Sequence, residues 1–564
     1  MTTTQAPDPD KADSRGPSGP LLRHYALAAA VYLLVTLPFL GRPPLFDPDE
    51  GYYPETAREM IERGNLLDPV FNGQPRWGKP VAFYLAEGVS FKVFGMNERA
   101  ARLPSVLCGL GFVLLTLSAG ARLFNTRAGL YAGLLCAVAL QPVVYSRTAV
   151  PDMLLSVFVA LSLYAFLRSR AIGSQSVSGH PAWWLLLAYA SAGIAFLAKG
   201  PLGLILPGLT VLTYLIFSGN ARGLLQLKPF AGITVFLLIA APWLVYMYSL
   251  HGVSFLDEHF IQRNVNRYFT DKWQHSGSIL YYLPVLIAGA FPWTVAFVGG
   301  LGTVSRRILG KPSGAGDKTT RGADVFVFCW LAVMLVFFSF SRSKLPNYVL
   351  PLYPAVILVA TRFILEAENR PSRRLAHVLV WTTAGFTALL ALAGGWVLAG
   401  KLKEDFATVL FWFSPLAIIA AAAPVYLFTK KLGHWVGVSA AGMVIFMAVI
   451  TGSAIPKIDR LQAVRTLSLE HRHRFADTPR LALWRLRQPS LLFYTGKQVL
   501  RFDPELEDWE KPCAEGIRWV LARGSSLGEI EKLTGGPPEE AYRMGGLVLL
   551  RVAAGSASQG ESGR

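Results

Sequence analysis

Phe46-Asp47-Pro48-Asp49-Glu50-Gly51-Tyr52-Tyr53 follows closely on Tyr25–Leu40, the first of a long series of apolar runs. Three carboxylates packed at the edge of a membrane-length segment decide the reading. A charged group part-way into a bilayer costs roughly 2–4 kcal/mol, so such a cluster marks a candidate functional site on a membrane protein. The run ends in Gly41-Arg42-Pro43-Pro44 with no small-x-small cleavage pattern, as expected of an uncleaved anchor.

The whole chain fits that reading. Of its 564 residues 52% are hydrophobic and only 16% charged, mean hydropathy is +0.39, and soluble domains carry about 25% charged residues. Runs of about 20 apolar residues predict about thirteen spans, near 24–40, 103–121, 127–147, 153–168, 184–198, 201–217, 230–249, 279–300, 324–340, 346–365, 377–399, 409–428 and 434–454. The fold class expected is an α-helical polytopic membrane protein with a small C-terminal α/β domain.

The net charge of +18 lies largely in short loops between spans, for example Arg306, Arg307, Lys311, Lys318 and Arg321, or Arg370, Arg373 and Arg374. This is a topology signal and not a nucleic-acid footprint. It places the N-terminus in the cytoplasm and the C-terminal segment outside it. The expected organisation is a disordered cytoplasmic tail at 1–23, a membrane domain at 24–456 with long outer segments at 41–102 and 250–278, a periplasmic α/β domain at 457–554, and a disordered tail at 555–564. Within 41–102, Glu55–Arg63 behind Pro54 and Val81–Phe94 before Gly95 read as interfacial helices. In the last domain Gln462–Phe475 reads as a helix, as does Leu527–Leu533. Leu481–Leu486, Leu491–Tyr494, Val499–Phe502, Trp519–Leu521 and Leu547–Val552 read as strands.

The candidate chemistry lies on the outer side. Asp49 and Glu50, with Asp47, are either helix caps on a solvated loop or a general base for an acceptor group. Asp152, after Ala149-Val150-Pro151, is either a cap or a second carboxylate of the same pocket. Arg58, Arg63, Arg76, Lys79, Lys199, Arg263, Arg267 and Lys344 are outer cations. Lys79, Lys199 and Lys344 sit next to or one residue from proline at helix edges and suit a phosphate at headgroup depth. His259, with His251 and His275, matches no zinc spacing and reads as a surface or a hydrogen-bonding residue. Cys108, Cys136, Cys329 and Cys513 form no disulfide or zinc pattern. Without a P-loop, a Rossmann glycine pattern or Cys-x-x-Cys, a nucleotide is not expected as direct donor, and no cofactor is expected.

Asp49-Glu50-Gly51-Tyr52-Tyr53, Ala57-Arg58-Glu59-Met60, Asn72-Gly73, Gly78-Lys79-Pro80, Phe94-Gly95-Met96-Asn97-Glu98 and Ala101-Arg102-Leu103-Pro104 follow one another in order. Further on come Ala198-Lys199-Gly200-Pro201, Phe260–Arg267 and Ser343-Lys344-Leu345-Pro346-Asn347-Tyr348. Over roughly residues 20–450 this series resembles the bacterial polyprenyl-phosphate-sugar glycosyltransferases, in the aminoarabinose transferase and protein mannosyltransferase-like group. The resemblance implies a glycosyltransferase C fold, a polyprenyl-phosphate-linked sugar donor, and a glycolipid such as lipid A, or a protein, as acceptor. It implies Asp49 as leading catalytic carboxylate, Asp152 as a second, and Lys79 and Arg267 as donor-phosphate ligands, with Arg58, Lys199 and Lys344 as further candidates. Tyr52 stands where the aminoarabinose branch usually has Arg, and Gly78 where it has Glu. The missing Glu removes a possible metal ligand, so no metal is expected.

The rival class is a secondary transporter or lipid flippase. Such proteins place ionisable groups near the middle of broken spans and repeat their halves, whereas here the polar residues gather at outer ends.

Overall fold

Every apolar run that the sequence marks as a span forms a helix. The computed structural model describes residues 19–170, 172, 181–270, 277–310, 315–402, 405–475, 478, 480–502, 517–534 and 537–552. Among these, eight helices are long and apolar enough to cross a membrane, or eleven when each of three bent pairs counts as one span. Leu21–Thr36 and Leu202–Phe217 are shorter apolar helices at the two remaining positions. The first helix begins at Gly19, ahead of the boundary expected at 23; the rest of that tail, the tail at 555–564, Cys513 and His275 lie outside the described residues.

The long outer segment folds over one end of the bundle. Its first helix runs Asp49–Glu62 and not from Glu55, with Pro54 inside it. A proline that early removes only one main-chain bond near the helix start, and the turn before it is fixed by side chains described below. Asn72-Gly73, at φ 55° and 74°, closes a hairpin between β1 (Val70–Phe71) and β2 (Gln74–Pro75), the left-handed pair that a two-residue turn needs. The second helix spans Ala82–Phe94 and stops at Gly95.

The C-terminal region forms a five-stranded mixed sheet of order β4-β3-β5-β7-β6, with β3 Arg480–Trp484, β4 Gln498–Phe502, β5 Trp519–Arg523, β6 Glu539–Met544 and β7 Leu547–Arg551. β3 pairs parallel with β4 and β5, while β7 is antiparallel to β5 and β6. Alternation along the strands fills two cores. Ala482, Trp484, Val520 and Val548 face one side with Ile530, whereas Leu481, Leu483, Leu521 and Leu549 face the other. The second core is shared with Leu45, Ala57, Phe91, Ala100 and Ala149, so the sheet domain packs directly on the outer segment. Leu491–Tyr494 is not a strand. It lies in a helix, Ser490–Thr495, that starts after Pro489 and ends at Gly496 with φ 68°. β6 was not anticipated, and the expected helix at 462–475 is Asp459–Glu470 followed by a short 3₁₀ turn.

Candidate active site

The three carboxylates at 47, 49 and 50 have three different fates. Glu50 is buried, with its carboxylate accepting from Arg102 at 2.8 and 2.9 Å, from the Ala149 amide at 2.7 Å and from the Phe46 amide at 3.0 Å. Arg102 also donates to the carbonyls of Leu40, Pro43 and Pro44. Glu50 is thus a hub joining the outer segment to the helix that carries Arg102 and to the loop at Ala149, and it reaches neither cavity described below.

Asp47 turns to the sheet domain. Its Oδ1 accepts from the Ser490 amide at 2.8 Å and its Oδ2 pairs with Ser490 Oγ. Burial pushes the Asp47 carboxyl up to about 7, against the opposing pull of its Ser490 hydrogen bonds. Asp49 lies between these two anchors. It is exposed, and among the described residues its carboxylate has no hydrogen-bond or ion-pair partner. It lines a polar cavity of about 1030 Å³ with Tyr52, Tyr53, Arg76, Lys79, Asp257, Glu258, Arg263, Arg267, Arg487 and Arg501. Six of these are cationic and three are carboxylates, so the cavity favours an anionic occupant.

A second cavity of about 360 Å³ is lined by Pro201, Leu202, Ile205, Phe260, Val265, Phe269, Phe337 and Phe338, with Lys79, Lys199, Arg263, Arg267 and Tyr348 among its polar residues. Lys79, Arg263 and Arg267 line both cavities. Arg267 Nε donates to the Tyr348 hydroxyl at 2.8 Å, and Arg263 pairs with Glu258 at 2.5 Å. Lys79 makes no hydrogen bond or ion pair among the described residues. Burial, then the charges of Arg267 and Lys199, hold its ammonium well below the usual lysine range. An anion seated among these groups would reverse that effect.

Asp152 and Lys199, both buried, form an ion pair, and Lys199 also lies over the Tyr348 ring at 5.3 Å. Asp152 stays near the site: it acts electrostatically on Lys79, and together with Asp49 on buried Tyr53. Its own carboxylate lines neither cavity. Two expected phosphate ligands also lie elsewhere. Arg58 is held by Glu55 at 2.5 Å and Glu62 at 2.6 Å on its own helix. Lys344 donates to the carbonyls of Ser339 and Ser341 at 2.7 and 2.6 Å, at the C-terminal end of the preceding helix where a cation is favoured.

Arg487 and Arg501 reach the cavity from the sheet domain. His259 is buried, with Nδ1 at 2.8 Å from the Trp77 carbonyl, and so holds the loop that carries Lys79. No three metal-ligating side chains cluster among the described residues.

Three comparisons bear on this geometry. The family described as dolichyl-phosphate-mannose-protein mannosyltransferase matches residues 74–246. The undecaprenyl phosphate-alpha-4-amino-4-deoxy-L-arabinose arabinosyl transferase of Pectobacterium carotovorum is 27% identical over 75% of this chain and 74% of its own. An uncharacterised protein of Aquifex aeolicus is 26% identical over 90% of this chain and 92% of its own. The crystal structure of ArnT from Cupriavidus metallidurans bound to undecaprenyl phosphate superimposes with a TM-score of 0.79, at 23% identity, over 95% of this chain and 98% of that one. That likeness gives the fold of the chain as a whole, bundle and C-terminal sheet together.

Proposed function

We infer that this chain, a multi-pass membrane glycosyltransferase of the polyprenyl-phosphate-sugar family with the glycosyltransferase C fold, moves a pentosyl or hexosyl group from a polyprenyl-phosphate donor to an oxygen of a lipid A-like glycolipid or other cell-envelope acceptor. The observation that carries this reading is the junction of a polar and an apolar cavity at Lys79, Arg263 and Arg267, with Asp49 on the polar side. The membrane is the bacterial inner membrane, with the N-terminus cytoplasmic and the sheet domain periplasmic, because the loops at the opposite end of the bundle are basic.

In this reading the first isoprene units of the donor lie against Phe260, Phe337 and Phe338. Its phosphate sits among Lys79, Arg263 and Arg267, and its sugar extends toward Asp49. Phosphate is already a competent leaving group. The protein's work is therefore to align the reactants, to stabilise the charge that builds on the departing phosphate, and to take the acceptor proton. The acceptor oxygen attacks the anomeric carbon, the bond from that carbon to the phosphate oxygen breaks with its electron pair leaving on the phosphate, and the acceptor proton passes to Asp49. A single displacement inverts the anomeric centre.

The test is transfer of radiolabelled sugar from polyprenyl phosphate in proteoliposomes. Asp49→Asn should lower kcat by about 10²–10⁴-fold with donor KM little changed, and Lys79→Ala should raise donor KM. Wild-type activity in Asp49→Asn refutes the assigned base. Movement of the lipid across the bilayer without transfer would favour the transporter reading.

A further inference from the structure

We propose that the sheet domain positions the catalytic carboxylate, with Asp47 and Ser490 as the latch that holds the Asp49 turn in place. The proposal rests on the reading of Asp49 as general base and goes beyond it to a residue more than 400 positions away in the chain.

Four observations carry it. Asp49, alone of the three carboxylates, has no side-chain partner among the described residues, so its position follows entirely from the backbone of the Leu45–Gly51 turn. That turn is tied at two points to one short helix of the sheet domain. The Ser490 amide and hydroxyl bind the Asp47 carboxylate, and the Leu45 amide donates to the Tyr494 hydroxyl at 2.8 Å. The approach leaves no free space. A Cβ added at Gly51 would lie 2.4 Å from the Ser490 nitrogen and 2.8 Å from the Pro489 carbonyl carbon, so the helix start rests on the backbone just after Asp49. Finally, Arg487, in the loop that leads into the Ser490 helix, lines the cavity that Asp49 lines. The latch and that part of the cavity wall thus lie on one short stretch of the sheet domain.

On the other side of Asp49, Glu50 is fixed to Arg102 and the Ala149 amide. The base is thus suspended between an anchor in the membrane bundle and one in the sheet domain. Loosening either leaves the carboxylate present but misplaced, and a displacement of about 1 Å can cost ~10²-fold in rate.

The experiment is a double-mutant cycle on the full-length protein. Ser490→Ala should lower kcat by about 10- to 100-fold, with donor and acceptor KM within about two-fold of wild type. Ser490→Thr, which keeps the hydroxyl, should restore most of the rate. In an Asp49→Asn background Ser490→Ala should cause no further loss, because residues acting through one another are not additive. Hydrogen exchange of the 45–53 amides should quicken in Ser490→Ala. A wild-type kcat in Ser490→Ala, or a loss that adds in full to that of Asp49→Asn, overturns the proposal and leaves Ser490 a mere tether. Unchanged exchange in Ser490→Ala overturns it as well, and that readout needs no activity. A wild-type protein that transfers no sugar to any acceptor would instead sink the functional reading, while the exchange data would still report on the latch. Should Ser490→Ala fail to assemble, Tyr494→Phe, which removes the second tie at the Leu45 amide, is the deciding variant: it should lower kcat by at least about three-fold and quicken exchange of the 45–53 amides, and a wild-type kcat or unchanged exchange overturns the proposal.

Discussion

Asp152→Asn separates two roles for that carboxylate, the base that the sequence reading allowed and the counter-ion to Lys199 that the structure shows. Asp152 is 3% exposed and Lys199 6% exposed, and they form an ion pair. Removing one member of a buried pair leaves the other as an uncompensated charge, at a cost of about 3–5 kcal/mol, compared with about 0–1 kcal/mol for an exposed pair. The Tyr348 ring, 5.3 Å from the Lys199 ammonium, offsets about 1 kcal/mol of that cost. Asp152→Asn should therefore lose about 2–4 kcal/mol of a total that is typically about 5–15 kcal/mol. Lys199→Met should lose a similar amount. The double variant, with no buried charge left, should lose about 1 kcal/mol or less, giving an interaction energy above about 2 kcal/mol. Denaturant-induced unfolding in detergent micelles supplies the stabilities, and transfer at saturating donor supplies kcat for the same four proteins. If Asp152 is a counter-ion, the double variant regains most of the rate that Asp152→Asn loses. A double variant as inactive as Asp152→Asn, though folded, would refute the argument and return Asp152 to the list of bases.

Three further outcomes follow from the same contacts. Arg487→Ala with Arg501→Ala removes two of the six cations of the polar cavity from the sheet-domain side; acceptor KM should rise about ten-fold, roughly 1.4 kcal/mol, with donor KM unchanged, as measured by initial rates at varied acceptor. Gly51→Ala forces a Cβ to 2.4 Å from the Ser490 nitrogen, so the sheet domain should loosen by more than about 1 kcal/mol, visible as faster limited proteolysis between residues 457 and 480. Asp47 has a folded-state pKa raised to about 7 from an ordinary 3.8, so its contribution to stability is complete below about pH 4 and is lost as pH rises through about 7. Asp47→Asn should accordingly flatten the pH dependence of the melting temperature between pH 5 and 8 and be the more stable protein at pH 8, and a wild-type slope in that variant would refute the assignment.

Much of the fold was legible because it depends on local composition. Length and apolarity are enough to place a span, and the helices at 98–123, 152–169 and 432–449 fall where the runs do. What local composition does not carry is bending. The run near 279–300 is two helices, Tyr282–Gly289 and Thr294–Leu309, meeting at 117°, and only the Pro292 between them hints at a break. Leu491–Tyr494 was misread because four apolar residues have no period to separate helix from strand. The signals that settle it, Pro489 before the run and Gly496 after it, flank the segment.

The site divides in the same way. That outer carboxylates and cations would gather at one end of the bundle could be read from where they fall relative to the spans, and Asp49, Lys79 and Arg267 do share one cavity. Which member of each group faces that cavity could not be read, because each charge's partner, near or far in sequence, is chosen by the folded geometry. Glu50 is taken up by Arg102, Asp47 by Ser490, Arg58 by Glu55 and Lys344 by carbonyls of its own turn. The side chains left over after such pairing, Asp49 and Lys79 above all, are those for which the protein supplies charge and no answering group. For Lys79, beside Arg267 and Lys199, that is unfavourable in the empty protein, whereas Asp49 stands exposed on the cavity; in the proposed reaction a donor phosphate and an acceptor proton complete the set. These two are the residues to which the proposed function assigns the chemistry, while sequence neighbours of the same charge are held by the fold.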